Sequence, residues 1–262
     1  MTRSAKNLLY TVALMLGSLL LWSCGQGSIA DDEKSGEATM TQTSAARKVL
    51  VFSKTVGFYH RSIPTGIAAI QQLGSKNGFQ VDTTKDASKF TIDNLKQYAA
   101  LIFLSTTQDV LNDEQQAAME NYIKGGGGFV GVHAAADTEY EWPWYNKLVG
   151  AYFKSHPKVQ KAVINVTDRN HPATKDLPEK WERSDEWYNY KDINPDLKVL
   201  AYLDESSYDG GENGDNHPII WHHEYDGGRA FYTGGGHTDE SFQDPVFMKH
   251  LLGGIRYAMG GE

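Results

Sequence analysis

The sequence predicts an α/β fold built around a mainly parallel sheet. Short apolar runs, rich in β-branched and aromatic residues, recur at 48–52, 99–104 and 129–133. Helical patterns separate these runs, and strand–helix–strand order at such spacing is typical of a parallel sheet with helices on both faces. A chain of 262 residues with 40% apolar content suits a single globular domain.

The first predicted elements alternate between strand and helix. Lys48–Phe52 is a continuous apolar run, which is typical of a buried first strand. A helix is expected to begin at Pro64, and its apolar positions lead to a glycine stop at Gly74. Phe79–Thr83 alternates as a second strand, and Ala99–Leu104 is a third, fully apolar strand.

Local signals frame the next helix at both ends. Asn112, with Gln115 three residues later, forms a predicted capping box. The helix is expected to run to Lys124, where a run of four glycines at 125–128 ends it. The apolar segment Phe129–His133 then forms the next buried strand.

The second half of the domain is expected to hold more strands and a final helix. An amphipathic pattern predicts a helix over Pro245–Met259, and polar, glycine-rich loops separate the segments before it. These segments read as strands at Val159–Val166, Leu197–Leu203, Pro218–Trp221 and Arg229–Thr233.

The amino-terminal segment has the layout of a secretory signal peptide. Arg3 and Lys6 precede the apolar run Leu8–Trp22. This run is shorter than the stretch of about 20 residues that a membrane-spanning helix needs. The run ends at Ser23-Cys24 and resembles the bacterial lipobox, in which the cysteine is acylated and becomes the first residue of the mature protein.

We therefore expect an exported, membrane-anchored lipoprotein, in the periplasm or at the cell surface. Residues 1–23 would be the signal peptide, 24–47 the lipidated Cys24 with a disordered tether, and 48–262 the folded domain. The alternative is a plain secretory signal with an incidental cysteine.

Composition excludes several classes of function. The chain has 33 acidic and 25 basic residues and no basic block, which argues against a nucleic-acid partner. Its single cysteine excludes an intrachain disulfide framework and a thiolate zinc site.

Three histidines follow predicted strands, at the edge where open α/β sheets bind ligands. His60 follows the first strand, His133 ends a later one, and His237 lies on a glycine-rich loop after the last. Imidazole is the commonest metal ligand, so this set would suit zinc or a similar divalent ion with an open position. The alternative is that each is a hydrogen-bonded structural histidine.

Carboxylates and aromatic rings supply the other candidates. Asp185 and Glu186 adjoin aromatic residues that can raise a carboxyl pKa for acid–base chemistry, although a solvated turn is an alternative. The ring-rich segment 140–145 is too irregular to form a helix face. Its Trp142 and Trp144 would stack against a sugar, or they pin the loop to the core.

Several of these motifs, in the same order, resemble the trehalose-utilisation (ThuA-like) family. They are Gly57–His60, Gly126–Ala135, His156-Pro157, His171-Pro172, Asp185–Tyr188, Pro218–Trp221, Gly228–Thr233 and Gly236-His237. The resemblance covers Lys48 to Gly260. It implies a flavodoxin-like three-layer sandwich with a mainly parallel central sheet, similar to class I glutamine amidotransferases.

In those amidotransferases the strand equivalent to Phe129–Val132 leads into a turn that bears a catalytic cysteine. Here His133 stands at that position and the folded part has no cysteine. Thiolate amidotransferase chemistry is therefore excluded.

The resemblance also implies a role in sugar catabolism, in particular the hydrolysis, elimination or isomerisation of a 3-keto disaccharide or glycoside. On this hypothesis His133 is catalytic, Asp185 or Glu186 carries the proton, and a divalent ion, zinc by preference, is bound. The metal ligands would be His60, His133 and His237, and the sugar would contact Gln108, Trp142, Trp144 and His156. A non-catalytic, lipid-anchored sugar-binding protein is the alternative.

Overall fold

A nine-stranded sheet runs through the middle of the domain in the computed structural model, which describes residues 47–261. The strands of this part of the chain are β1 Lys48–Phe52, β2 Gln80–Thr84, β3 Ala100–Leu104, β4 Gly128–Val132, β5 Tyr152–Ser155, β6 Gln160–Val166, β7 Lys180–Asp185, β8 Asn189–Lys191, β9 Lys198–Asp204, β10 Pro218–Tyr225 and β11 Gly228–Thr233. The large sheet has the order β2-β1-β3-β4-β11-β10-β9-β6-β7, and β5 pairs with β8 separately.

The pairing confirms a mixed α/β fold with a mainly parallel central sheet. Strands β2, β1, β3, β4 and β11 pair in parallel. The remaining strands pair antiparallel, so only β10 and β6 run against the direction shared by the rest of this sheet.

Helices cover both faces of the parallel part. They are α1 Ile63–Asn77, α2 Ile92–Leu95, α3 Asp113–Lys124, α4 Pro143–Val149 and α5 Pro245–Ala258. On one face, the α4 residue Tyr145 packs against Phe103 and Phe129. On the other, Gly66 of α1 lies against Leu104. Of the helices described, none combines the length and apolarity needed to cross a membrane.

The antiparallel half curls around α5. In a flat sheet β11 and β7 would lie about 19 Å apart, at about 4.8 Å per strand. Instead, the β7 residue Arg183 stacks on Phe247 of α5 at 4.4 Å, and Asp185 at the end of β7 bonds to the loop that follows β11. This curl brings the carboxyl ends of two distant strands together.

Two expectations about helices are wrong. Helix α1 continues past Gly74 to Asn77 and is capped by Gly78, whose φ of 75° suits a glycine. Gly74 instead permits close packing, because a Cβ there would lie 2.6 Å from Val81. The segment expected to be irregular contains α4, which begins at Pro143 and contributes the buried Tyr145.

The start of α3 agrees with the sequence prediction, the end of β4 differs from it by one residue, and the amino-terminal segment is not described. The Asn112–Gln115 capping box is present at the start of α3. Strand β4 ends at Val132, so His133 begins a short 3₁₀ turn, residues 133–137, instead of closing the strand. The expected signal peptide 1–23, Cys24 and the rest of the 24–47 segment before Arg47 lie outside the described residues.

Candidate functional site

Four side chains converge at the carboxyl edge of the sheet. His60, His133, Glu186 and His237 each offer one potential ligand atom, and these atoms all lie within 4.8 Å of one another. We call this set the histidine cluster. Its members come from the segments that follow β1, β4, β7 and β11, so the sheet itself assembles residues that are far apart in sequence.

A sharp turn after β4 positions His133. Its φ of 49° is unusual for a residue other than glycine and directs the chain from the strand into the 3₁₀ turn. The ring Nδ1–H donates to the carbonyl oxygen of Gly234 at 3.0 Å. Because Nδ1 carries the hydrogen, the Nε2 lone pair is free to face the cluster.

Three cluster atoms form a tight triangle. The Nε2 atom of His133 lies 3.2 Å from Nδ1 of His237 and 3.4 Å from Oε2 of Glu186. The third distance, from Nδ1 of His237 to Oε2 of Glu186, is 3.0 Å. Ligands at about 2.0–2.1 Å from a tetrahedral ion are separated by about 3.3 Å. The triangle therefore has the dimensions of one face of a tetrahedral site.

His60 closes the cluster from the fourth side. Its ring centroid is 4.8 Å from that of His133 and 5.1 Å from that of His237. Burial, together with the neighbouring His133 and His237, lowers the pKa of His60 to about 2. The ring is therefore neutral at physiological pH, and its buried Nδ1 has no hydrogen-bond partner among the described residues.

Glu186 links the cluster to His156. Burial opposes ionisation of Glu186, but the neighbouring imidazoles of His133 and His237 outweigh it and lower the carboxyl pKa. Burial also opposes ionisation of His237 and so acts to lower its pKa. The bond to Glu186 outweighs this effect, and the pKa of His237 is raised. Oε1 of Glu186 lies 3.1 Å from Nδ1 of His156, an exposed residue that also meets the Pro157 carbonyl oxygen at 2.9 Å.

Asp185 points away from the cluster and is fully buried. Its two carboxylate oxygens accept hydrogen bonds from the backbone N–H groups of Glu186, Gly236 and His237 and from the Ser241 hydroxyl. Arg183 completes its surroundings at 3.1 Å. The 185–188 segment is buried, so it does not form the solvated turn considered from the sequence. Asp185 instead holds the loop that carries His237.

Gln108 lies between Gly57, in the loop that carries His60, and Asp137, a carboxylate that sequence reasoning missed. Its Nε2 donates to Oδ1 of Asp137 at 3.3 Å, and the Tyr140 hydroxyl donates to the same oxygen at 2.6 Å. Burial raises the pKa of Asp137, and the fields of His133 and His156 partly oppose this. The signal that could have found Asp137 is its position four residues after His133, in the turn leaving the strand.

Trp142 and Trp144 are not brought to the cluster. Their rings stack on each other at 5.0 Å. The indole N–H groups donate to Glu120 and Asp226, which lie near the amino ends of β4 and β11, at the opposite edge of the sheet. These contacts fit the alternative interpretation of this segment, in which the rings pin the loop to the core.

The model of the trehalose-utilisation (ThuA) family matches residues 48–258. The chain belongs to this family. Accordingly, this ThuA protein shares the fold expected from the resemblance in its motifs.

Solved structures agree. A ThuA-like protein of Bacteroides uniformis is 27% identical with a TM-score of 0.70, covering 85% of this chain and 95% of that one. A ThuA-like protein of Parabacteroides merdae is 22% identical with a TM-score of 0.69, covering 82% and 91%. The class I glutamine amidotransferase-like fold of this ThuA protein is therefore confirmed.

More distant structures share the fold alone. A β-galactosidase of Bacillus circulans is 11% identical with a TM-score of 0.55. The match covers 82% of this ThuA protein but only 31% of the galactosidase chain. None of the curated proteins compared with the sequence matches it.

Proposed function

We propose that this ThuA protein is an exported enzyme that processes a 3-keto disaccharide or glycoside at a divalent metal site. The observation that carries the proposal is the convergence of His60, His133, Glu186 and His237, with all four potential ligand atoms within 4.8 Å. Three imidazoles and one carboxylate are a donor set that zinc accepts readily.

The donor set also suits a cation electrostatically. His60 is neutral, and His133 has a free Nε2 lone pair. Glu186 supplies a negative charge to balance the ion. Partners outside the cluster, such as the Gly234 carbonyl oxygen behind His133, keep the rings oriented for binding.

The chemistry follows from the substrate's carbonyl group. When bound, a divalent ion would act as a Lewis acid toward the C3 carbonyl oxygen. The ketone acidifies the neighbouring C2–H. Removal of that proton allows a C1–C2 double bond to form while the C1–oxygen bond breaks, and the departing oxygen takes up a proton.

His156 and Glu186 are the pair best placed to move this proton. The Nδ1 of His156 faces two oxygens, of Glu186 and Pro157, and therefore carries the hydrogen. This leaves Nε2 as a base on an exposed side chain. Glu186 acts through His156 and through its other oxygen in the cluster, whereas the oxygens of Asp185 are engaged by backbone and side-chain donors.

Metal content and turnover together test the proposal. We expect purified wild-type protein to bind about one zinc equivalent, by elemental analysis and calorimetry, and to convert 3-keto-trehalose. His133→Ala and His237→Ala should bind metal weakly and lose at least about 100-fold in activity. His222→Ala is the matched control, because His222 lies beside His171 and Tyr257, outside the cluster.

Two results would contradict this function. Equal metal content and turnover in wild type and His133→Ala would remove the site assignment. Sugar binding without any product, measured by calorimetry and product analysis, would instead favour the non-catalytic binding protein.

Export and membrane attachment are part of the same proposal. They rest on the basic start and on Ser23-Cys24 after the apolar run. Incorporation of a labelled fatty acid into the wild type, and its absence from Cys24→Ala, is the expected result. A label that persists in Cys24→Ala would contradict the lipid anchor.

A further inference from the structure

Three apolar side chains are exposed on the loop between β1 and α1. The exposed fractions are 60% for Val56, 64% for Phe58 and 44% for Tyr59. The same loop contains His60, a member of the histidine cluster. A group of exposed apolar side chains beside a candidate site is a feature that marks ligand-binding surfaces.

The loop is held rigidly despite its exposure. The Val56 N–H donates to the Thr107 carbonyl oxygen at 3.0 Å. The Thr107 hydroxyl accepts from the Gly57 N–H at 3.2 Å and donates to the Phe58 carbonyl oxygen at 3.1 Å. Because these bonds fix the backbone from Val56 to Phe58, the loop that carries the exposed ring is preorganised and needs little ordering on binding.

Phe58 is the ring of this loop that faces the cluster. Its centroid lies 4.8 Å from that of His60, with the two rings nearly perpendicular. Tyr59 faces the other way, toward the ammonium group of Lys85 at 5.3 Å. One aromatic face is therefore left open directly beside the candidate metal ligands.

Polar groups lie next to the loop that carries Phe58. Gly57 packs so closely on Gln108 that a Cβ at residue 57 would lie 2.7 Å from the Gln108 Cγ. Gln108 in turn bonds to Asp137, which Tyr140 also contacts. An apolar face followed by an amide and a carboxylate matches the two surfaces of a sugar, whose C–H groups stack and whose hydroxyls hydrogen-bond.

We propose that Phe58 is the platform on which the substrate's sugar ring stacks, with Gln108 and Asp137 binding its hydroxyl groups. This subsite deepens the proposed function and rests on it. It assigns to Phe58 the stacking role expected from the sequence for Trp142 and Trp144, whose rings lie at the other edge of the sheet.

The test compares substitutions of Phe58 in the full, metal-loaded protein. Phe58→Ala and Phe58→Leu should raise the KM for 3-keto-trehalose, and the calorimetric Kd, about tenfold with little change in kcat or zinc content. Phe58→Trp should retain wild-type affinity because it keeps an aromatic face. Ile92→Ala is the matched control, since Ile92 is 59% exposed and lies beside Gly125–Gly127 at the amino edge.

Each remaining outcome overturns the subsite. If Phe58→Ala behaves as wild type while wild type turns over the sugar, the subsite is wrong and the proposed function stands. Wild-type affinity in Phe58→Leu would show that an aromatic ring is not needed. If metal-loaded wild type neither binds nor converts the sugar, both proposals fail. A wild-type dimer that Phe58→Ala dissociates, seen by light scattering, would make the patch a contact between copies.

Discussion

At the scale of single residues, Asp185 and Glu186 show how adjacent carboxylates take different roles. They are neighbours at the end of β7, and alternation along a strand directs their side chains apart. Glu186 enters the cluster, whereas Asp185 accepts bonds from the backbone of Gly236 and His237. Asp185 is therefore a positioning residue, and we expect its effect on metal binding to pass through His237.

Substitution of Asp185 should separate this role from a catalytic one. We expect Asp185→Asn to weaken zinc binding about 10–100-fold, because His237 loses its anchor. It should also lower the free energy of unfolding by about 3 kcal/mol, because the buried Arg183 loses its counterion. Calorimetric zinc titration and urea denaturation measure the two effects.

Glu182→Gln provides the control for this experiment. Glu182 lies on the same strand but is exposed and pairs with Lys161 at the surface, so its loss should leave the free energy of unfolding nearly unchanged. Zinc affinity in Asp185→Asn equal to that of Glu182→Gln would refute the positioning role.

The sequence could indicate the three histidines but not the whole cluster. His60, His133 and His237 each follow an apolar strand, and the edge of a parallel sheet gathers such residues. The sequence predicts Glu186 as a proton carrier, because a carboxylate beside aromatic rings suits that role as well as it suits metal binding. Its place among the histidines depends on the curl of the antiparallel strands, which local patterns do not encode.

At the scale of elements, helix α1 illustrates a glycine whose purpose is tertiary. Gly74 reads as a helix stop in sequence, yet the helix passes through it and uses the missing side chain to approach β2. A Cβ at this position would meet Val81 at 2.6 Å and the Phe79 carbonyl oxygen at 2.7 Å. Packing against the sheet therefore overrides local helix propensity.

Because Gly74 packs against β2, replacing it with alanine should lower the stability of the domain. Alanine favours helix over glycine by about 1 kcal/mol. We nevertheless expect Gly74→Ala to destabilise the domain by about 1–3 kcal/mol, because the added methyl group overpacks the contact with β2. Urea denaturation checks this, with Ser75→Ala on the exposed side of the helix as the control. An increase in stability for Gly74→Ala would contradict it.

At the scale of the whole molecule, buried neutral histidines make stability depend on pH. His250 of α5 is enclosed, with Nδ1–H donating to the Ala173 carbonyl oxygen and Nε2 accepting from the Thr233 hydroxyl. Burial lowers the pKa of His250 to about 3. Burial also lowers the pKa values of His171 and His222, each to about 4.

The direction of this pH dependence follows from proton uptake by the unfolded chain. Below the ordinary histidine pKa of about 6.5 the unfolded chain binds protons that the folded domain does not. The free energy of unfolding should therefore fall as pH decreases from about 6.5 toward 4, by up to about 1.4 kcal/mol per pH unit for each such histidine. Denaturation with urea at several pH values measures this slope.

His250→Gln isolates one of these contributions. The variant should show a shallower dependence of unfolding free energy on pH, by the proton that the unfolded wild-type chain takes up at residue 250. A slope equal to that of wild type would mean that His250 does not contribute.

The path of the chain through the domain has a consequence for engineering. Arg47, just before β1, donates to the carbonyl oxygen of Met259, just after α5, at 3.2 Å. Both ends of the described chain thus meet at the amino edge of the sheet, whereas the histidine cluster lies at the carboxyl edge. A short linker could join Arg47 to Met259 in a circular permutant of the domain. If the protein were attached to a solid support at this amino edge, the histidine cluster would remain open to solutes.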